Sequence, residues 1–331
     1  MQNQAIDQIH IKVFPRLHLS LIELGKNGYR KNGGIGFCIK DPSIILTFQP
    51  SSEISLHTLS MCNFSISEID KLVVKLTDIR NEYELKWGID LRDISKVLRH
   101  FGLGSGTAII LACIEALFIT NGVLIPKTDL QRLSGRGGTS GIGINTYFFG
   151  GIVLDIGRSF DAIQAKSSDD IDLPEELPLV LKHCEMPDWK CGVFTPMDIS
   201  PLTLEDERDF FLKTCPLSKN AVIETTYHAV CGVMGGVLAN NFDQFCSGVN
   251  ALQHCDWKAS EIAMYGNKVN DKVNELMELG CDAVGMSSLG PSLFFFSKSF
   301  EETASRVKSR FPYDIVTETC TQNCGRELSI D

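Results

Sequence analysis

The segment that most restricts this chain is His100-Phe101-Gly102-Leu103-Gly104-Ser105-Gly106-Thr107, which runs directly into the apolar stretch Thr107–Ile119. Glycines at alternate positions let the backbone turn tightly and approach another chain or a ligand more closely than a Cβ allows. The stretch that follows has the composition of a buried helix, interrupted only by Glu115, and is too short to span a bilayer. A helix that starts in a glycine turn offers unpaired N–H groups and the positive end of its dipole to whatever occupies the loop. Ser105 and Thr107 add hydroxyls that can face an anion or a metal ion. A plain turn packing a helix on a sheet would use the same letters. No Lys follows the last glycine, so this is not a Walker loop, and the glycine spacing is not that of a dinucleotide fingerprint.

Two further glycine clusters follow. Arg136-Gly137-Gly138-Thr139-Ser140-Gly141-Ile142-Gly143 places one guanidinium among small residues, an arrangement suited to clamping an anion, with a surface turn and solvated Arg as the plainer reading. Gly285-Met286-Ser287-Ser288-Leu289-Gly290-Pro291-Ser292 alone reads as a tight turn between two apolar runs. Near the start, Arg16, His18 and Ser20 alternate with leucines, so period-two geometry puts all three on one face of a strand. That face either meets water or lines a site.

Alternating segments predict strands at Ile9–Phe14, Ile44–Phe48 and Gly151–Ile156. Helical periodicity dominates later, over Leu204–Leu212, Asn220–Leu238, Asn241–Gln253, Ser260–Leu279 and Phe300–Arg310. Ala283–Met286 and Ser292–Phe296 read as strands around the third glycine turn. A strand-rich first half and a second half of helices with strands imply an α+β protein. The polar, acidic stretch Lys166–Leu177 marks a surface loop near a domain boundary, giving domains 1–165 and 166–331.

At 331 residues, 44% hydrophobic and 22% charged, the chain can bury a substantial core. Its net charge of −10 argues against a non-specific nucleic-acid binder, though not against a local phosphate site. Met1–His10 lacks the basic-then-apolar pattern of a secretory signal, so a soluble, cytoplasmic protein with no membrane partner is expected. Twelve cysteines occur without a C-x-x-C pair, and buried free thiols are expected, with Cys320 and Cys324 the most exposed.

Taken together, Pro15-Arg16, the loop Gly102–Gly106 with its helix, and Gly285–Pro291 resemble, in order, the three motifs of the GHMP kinase superfamily. The strings Arg16–Ile22, Gly33-Gly34-Ile35-Gly36, His100–Thr107 and Ser140–Gly143 leading to Gly150-Gly151 resemble, within it, the β-ribofuranosylaminobenzene 5′-phosphate synthase family. The resemblance runs from about Ile9 to Phe311. It implies a ribosomal protein S5 domain 2-like N-terminal half and a ferredoxin-like C-terminal half. In GHMP kinases the position of Gly143 typically holds an Asp that serves the substrate hydroxyl, and a metal-binding Glu lies shortly upstream, where this chain has Ser134-Gly135-Arg136. Leu98 stands where the family often has Pro. A phosphate cradle without those carboxylates fits pyrophosphate departure better than phosphoryl transfer.

The resemblance implies joining of phosphoribosyl pyrophosphate to 4-aminobenzoate or 4-hydroxybenzoate through a carbon–carbon bond. Carbon dioxide and pyrophosphate are released, and the step belongs to tetrahydromethanopterin biosynthesis. Mg²⁺ and a homodimer are implied as well. Gly102, Leu103, Gly104, Ser105, Gly106 and Thr107 would surround pyrophosphate, with Ser105 and Thr107 on the metal. Arg16, Arg136 and Ser140 would bind phosphate. His18, His100 and Arg136 are the catalytic candidates, and Ser20, Ser287, Ser288 and Gly290 the substrate contacts. Asp155 is expected to be structural or a metal ligand, Tyr227 and His228 to pack in the core, and Asp243 to cap a helix. An ATP-dependent small-molecule kinase, a C-glycoside synthase of secondary metabolism and a non-catalytic binding protein are the alternatives.

Overall fold

The computed structural model describes residues 6–159 and 176–331. The expected boundary at 165/166 lies outside the described residues, as does most of the acidic stretch before Leu177.

Strand β1 (Ile9–Val13) sits between β4 (Ile44–Ser51) and the late strand β13 (Glu327–Ile330), and β4 continues to β5 (Gly88–Ile94), all antiparallel. Their inward side chains, among them Ile9, Ile11, Leu46, Phe48 and Leu91, pack on α1 (Ile66–Glu82) and α2 (Ser105–Thr120). The hydroxyl of Ser65 caps α1 and Glu68 reaches back to the Ser65 backbone, forming a capping box that fixes where the helix begins. Helix α2 is buried on nearly every side, so its Glu115 needs a partner. Arg326, from the last loop, ion-pairs with it, and Tyr147 Oη donates to it at 2.7 Å.

The second sheet runs β2 (Arg16–Glu23), β3 (Arg30–Cys38), β6 (Ile152–Asp155), β8 (Val180–Cys184), with the short β7 (Arg158–Ser159) beside β3. Helices α3 (Lys127–Leu133) and α4 (Ile142–Phe149) connect α2 to β6. The third sheet, in the order β10 (Ala283–Met286), β11 (Leu293–Phe296), β9 (Lys190–Thr195), β12 (Ile315–Cys320), is entirely antiparallel. Its helices are α5 (Leu204–Thr214), α6 (Lys219–Tyr227), α7 (Gly235–Leu238), α8 (Phe242–His254), α9 (Asp256–Ala263), α10 (Asn267–Glu278) and α11 (Phe300–Arg310). Phe37 of β3 meets Phe245, Phe294 and Phe296 with ring centroids 5.9 to 6.2 Å apart, joining the second and third sheets in one core.

The expected α+β class holds, and the predicted helices at 204–212, 241–253 and 300–310 match closely. Two expectations need correction. The single helix over Ser260–Leu279 is interrupted: α9 ends at Ala263, and Gly266, with φ +59°, caps the start of α10. The helix over Asn220–Leu238 passes through a wider π turn at His228–Met234. That run, Lys219–Leu238, is the one helix among the described residues long and apolar enough to cross a membrane, and it packs against β2 and α8. All twelve cysteines are free; Cys324 is exposed and Cys320 partly so, as expected, and Cys231 is exposed too.

Candidate active site

Three chain segments converge where β2 meets the start of α2. Arg16 Nη1 donates to Gly102 O at 2.5 Å, and the Arg16 backbone N–H donates to Leu103 O at 3.1 Å. Ser287 Oγ donates to Gly102 O at 2.7 Å and accepts from the His18 N–H at 3.0 Å. The Ser288 N–H closes the set on His18 O at 2.9 Å. The three motifs thus form one hydrogen-bonded unit.

Glycine is required here for contact as much as for turning. Gly102 has φ +85°, and a Cβ on it would stand 2.1 Å from Ser287 O. Gly104 has φ +75°, and its Cβ would strike the Arg16 side chain at 2.9 Å. Gly104 is also the N-cap of α2 and no side chain caps the helix there. The first helical bond runs from Ala108 N to Gly104 O, which leaves the N–H groups of Ser105, Gly106 and Thr107 outside the helical ladder.

Beside this unit lies a cleft with two unlike walls. One carries Arg16, His18, Thr107, Arg136, Thr139, Ser140 and Gly143. Arg136 Nε donates to Thr107 Oγ1 at 3.2 Å, which brings the second glycine cluster onto the first turn of α2. His18 Nε2 lies 3.1 Å from Ser140 Oγ. Burial, then Arg16 and Lys258, hold the His18 imidazole well below its usual pKa, so the ring is neutral. Burial with Arg136 lowers Arg16 to about 10, still protonated at neutral pH. A Cβ at Gly143 would meet Thr107 Cγ2 at 3.4 Å, ordinary contact, so glycine is not imposed there by space.

The other wall comes mainly from the C-terminal half: Leu21, Glu207, Phe211, Glu261, Ser288 and Leu289. Glu207 and Phe211 are one helical turn apart on α5. Behind them Trp257 packs against Phe210 and Phe211, with ring centroids at 4.8 and 5.0 Å. On α9 the fully buried Lys258 ion-pairs with Glu261, and its Nζ donates to Ser288 O at 3.1 Å. Burial, the largest influence on each, pushes the Glu261 carboxyl up and the Lys258 ammonium down.

Of the residues expected from sequence, Arg16, His18, Thr107, Arg136, Ser140 and Ser288 meet at the cleft. Ser105 and Leu103 do not: they line a separate apolar cavity with Phe14, Val97, Leu98 and Ala108. Ser105 and Thr107, expected together on one metal ion, thus line different cavities. Thr107 and Glu207 are among the oxygen-bearing residues that line the cleft, with Thr139, Ser140, Ser288 and Glu261, a set suited to an ion that arrives on phosphate oxygens. Gly102, Gly104 and Gly290 serve the contacts between loops and are outside the cleft lining, as is Gly106. Ser287 is fully buried in the clamp described above. His100 is exposed, with φ +63°, and does not line the cleft.

Ser20 is a correction with a clear cause. A register shift between His18 and Ser20 breaks the strict alternation of β2, and Ser20 Oγ turns to its neighbour's carbonyl, Leu21 O, at 2.8 Å. Asp155 is structural: its carboxylate accepts from Gly141 N and Gly157 N at 2.9 and 3.0 Å, holding the second glycine cluster on β6. Asp243 falls in the first turn of α8, whose cap is Asn241, and Tyr227 is exposed. His228 groups with Glu224 and Cys255, their ligand atoms within 4.8 Å of one another, away from the cleft. Glu261, Lys258, Glu207 and Phe211 were not foreseen.

These sheets, the glycine-capped α2 and the three clamped motifs define a GHMP kinase-type fold. No protein-family model matches the chain. Solved structures similar across almost its whole length include homoserine kinase from Cytophaga hutchinsonii (TM-score 0.66, 16% identity, 99% of each chain) and mevalonate diphosphate decarboxylase from Staphylococcus aureus (TM-score 0.66, 12% identity, 98% of each chain). Among curated proteins the chain is similar to β-ribofuranosylphenol 5′-phosphate synthase from Methanocaldococcus jannaschii, at 28% identity over 95% of this chain and 98% of that protein. The enzyme of the same name from Archaeoglobus fulgidus is 26% identical over 88% of each chain. The chain is an enzyme, a transferase related to these synthases, and the fold and kinship expected from its motifs are borne out.

Proposed function

We propose that this enzyme joins phosphoribosyl pyrophosphate to a 4-hydroxy- or 4-aminobenzoate, forming a β-linked C-riboside 5′-phosphate with loss of carbon dioxide and pyrophosphate, in tetrahydromethanopterin biosynthesis. The observation that carries this reading is the contrast between the cleft walls. Arg16, Arg136, Thr107 and Ser140 line one side beside the uncapped start of α2, while Leu21, Phe211 and Leu289 line the other. The first wall suits a polyphosphate and the second a flat arene.

Ionisation at C1 of the ribose leaves negative charge on pyrophosphate. Arg136, Arg16 and the N–H groups at the start of α2 stabilise that charge as it grows. Thr107 and Glu207 would help hold a Mg²⁺ that arrives on the donor's phosphates, where it would supply further charge neutralisation. The neutral His18 imidazole and Ser140 supply hydrogen bonds without repelling Arg16. The ring carbon bearing the carboxylate attacks the face opposite pyrophosphate, so the α-configured donor gives a β product. Loss of carbon dioxide restores aromaticity, and no base is needed at a ring C–H. Holding the two reactants in line is the main contribution of the protein. Gly143 agrees with this chemistry, since no carboxylate stands there to serve an alcohol.

The test is incubation with phosphoribosyl pyrophosphate, Mg²⁺ and carboxyl-labelled 4-hydroxybenzoate or 4-aminobenzoate. Labelled carbon dioxide is expected from one of the acids. No release with either acid, from folded protein that binds the donor, overturns the reading.

A further inference from the structure

The buried Lys258–Glu261 pair has no part in the chemistry derived so far. Neither side chain reaches bulk solvent, at 0% and 4% exposure, yet Glu261 lines the cleft with Arg16, His18, Phe211 and Leu289. Its Oε2 lies against the Lys258 ammonium but takes part in no well-aligned hydrogen bond. Burying such a pair costs several kcal/mol per ion before the attraction is counted. A lysine needed only to hold the Ser288 carbonyl would not require a carboxylate facing the site. The turn after α9 already grips the same loop through Tyr265 Oη, which donates to Leu289 O at 2.5 Å. The carboxylate lines the cleft with Phe211 and Leu289, next to the Trp257 ring and near enough to Arg16 for the two charges to influence each other.

We propose that Glu261 is a catalytic residue that receives the para substituent of the acceptor. The inference rests on the synthase reading above and assigns it the acid–base group it lacks. In the 4-hydroxybenzoate reaction the C1–pyrophosphate bond breaks with its electron pair leaving on oxygen. The π pair of the ring then forms the new C–C bond. The para O–H becomes strongly acidic as the ring turns into a cyclohexadienone, and its proton passes to the Glu261 carboxylate. The C–CO₂⁻ bond then breaks, its pair restores the aromatic ring, and the para oxygen takes the proton back from Glu261. The proton is returned, so no other base or acid is consumed. Lys258 is the positioning partner: its ammonium opposes the effect of burial on Glu261 and so favours the ionised form that accepts a proton.

The experiment compares wild type, Glu261→Gln and Glu261→Asp with phosphoribosyl pyrophosphate and carboxyl-labelled 4-hydroxybenzoate. Donor affinity is measured by calorimetry in each. Turnover by Glu261→Gln should fall at least 100-fold while its affinity for the donor stays within twofold of wild type, and Glu261→Asp should recover part of the loss. A substrate-side arm needs no variant: 4-methoxybenzoate has no proton to give, and wild type should turn it over at least 100-fold more slowly than the hydroxy acid. An active wild type overturns the proposal, and leaves the synthase reading standing, if Glu261→Gln turns over within threefold of it or if the two acids react equally fast. Wild type that binds the donor but is inactive with both 4-hydroxybenzoate and 4-aminobenzoate overturns both; activity with 4-aminobenzoate alone overturns only the proton transfer from a para hydroxyl. A Glu261→Gln protein that fails to bind the donor leaves the decision to the methoxy comparison.

Discussion

Ser287 Oγ donates to the carbonyl oxygen of Gly102 at 2.7 Å, joining residues 185 positions apart in the chain. Ser287 Oγ also accepts from the His18 N–H, so one buried hydroxyl ties the third motif to the other two. The glycine loop is therefore held from outside itself, and its shape depends on the far half of the chain.

Gly102→Ala tests this directly. The new methyl would meet Ser287 O while adopting a left-handed φ. We expect a loss of roughly 2–4 kcal/mol, from backbone strain and forced separation of the loops together. Urea denaturation measures it, and an unchanged midpoint would show that the loops do not touch.

Arg136→Ala should weaken the ribosyl donor far more than the arene. Hydrogen bonds to a charged partner contribute about 1.5–3 kcal/mol, so a rise of about 10- to 100-fold in donor KM is expected. The arene KM should stay within threefold. Equal changes in both constants would take Arg136 away from the phosphates.

Gly143→Asp returns a carboxylate to the position where GHMP kinases typically carry one. The first atom of the side chain fits, at 3.4 Å from Thr107 Cγ2, so the fold should survive. Negative charge in the cleft opposes the donor's phosphates, and donor affinity should fall about tenfold or more. Titration calorimetry with phosphoribosyl pyrophosphate, alongside circular dichroism to establish folding, checks it; tighter donor binding would contradict the electrostatic account.

Asp155 should leave a signature in stability against pH. Burial raises its pKa to about 7, although the N–H groups of Gly157 and Gly141 and the Ser140 hydroxyl oppose the shift. The folded state thus keeps a proton between about pH 4 and pH 7 that the unfolded chain releases. This residue's contribution to stability falls as pH rises through that window and is constant above it. Asp155→Asn should flatten that part of the profile in denaturant titrations from pH 4 to 8; an unaltered slope would show that Asp155 is ionised when folded.

The cation-rich wall of the cleft was legible because its signals are local. Glycine spacing announces the α2 turn, Arg16 and His18 stand out in an apolar strand, and Arg136 stands out among glycines. The opposite wall was not legible. Lys258 and Glu261 have the i, i+3 spacing of an ordinary solvated pair, and only the tertiary packing of α5, β2 and neighbouring elements around α9 buries them. Ser20 was misplaced because no sequence period signals a bulge. Helix α1, by contrast, was missed despite an available sign, Ser65-x-x-Glu68 ahead of apolar residues at helical spacing. It matters to the site, since Lys75 on α1 donates to Ser134 O beside Arg136 at 2.7 Å.

The pairing of β13 with β1 has a consequence for how the chain is made. Residues 327–330 cover the edge of β1 opposite β4, and β4 ends by residue 51, so β1 gains one neighbour early and keeps its other edge bare until a strand from far downstream has been made. An uncovered strand edge invites the wrong neighbour. Until β13 is available the nascent protein is open to mispairing along β1, and docking of residues 327–330 seals that edge.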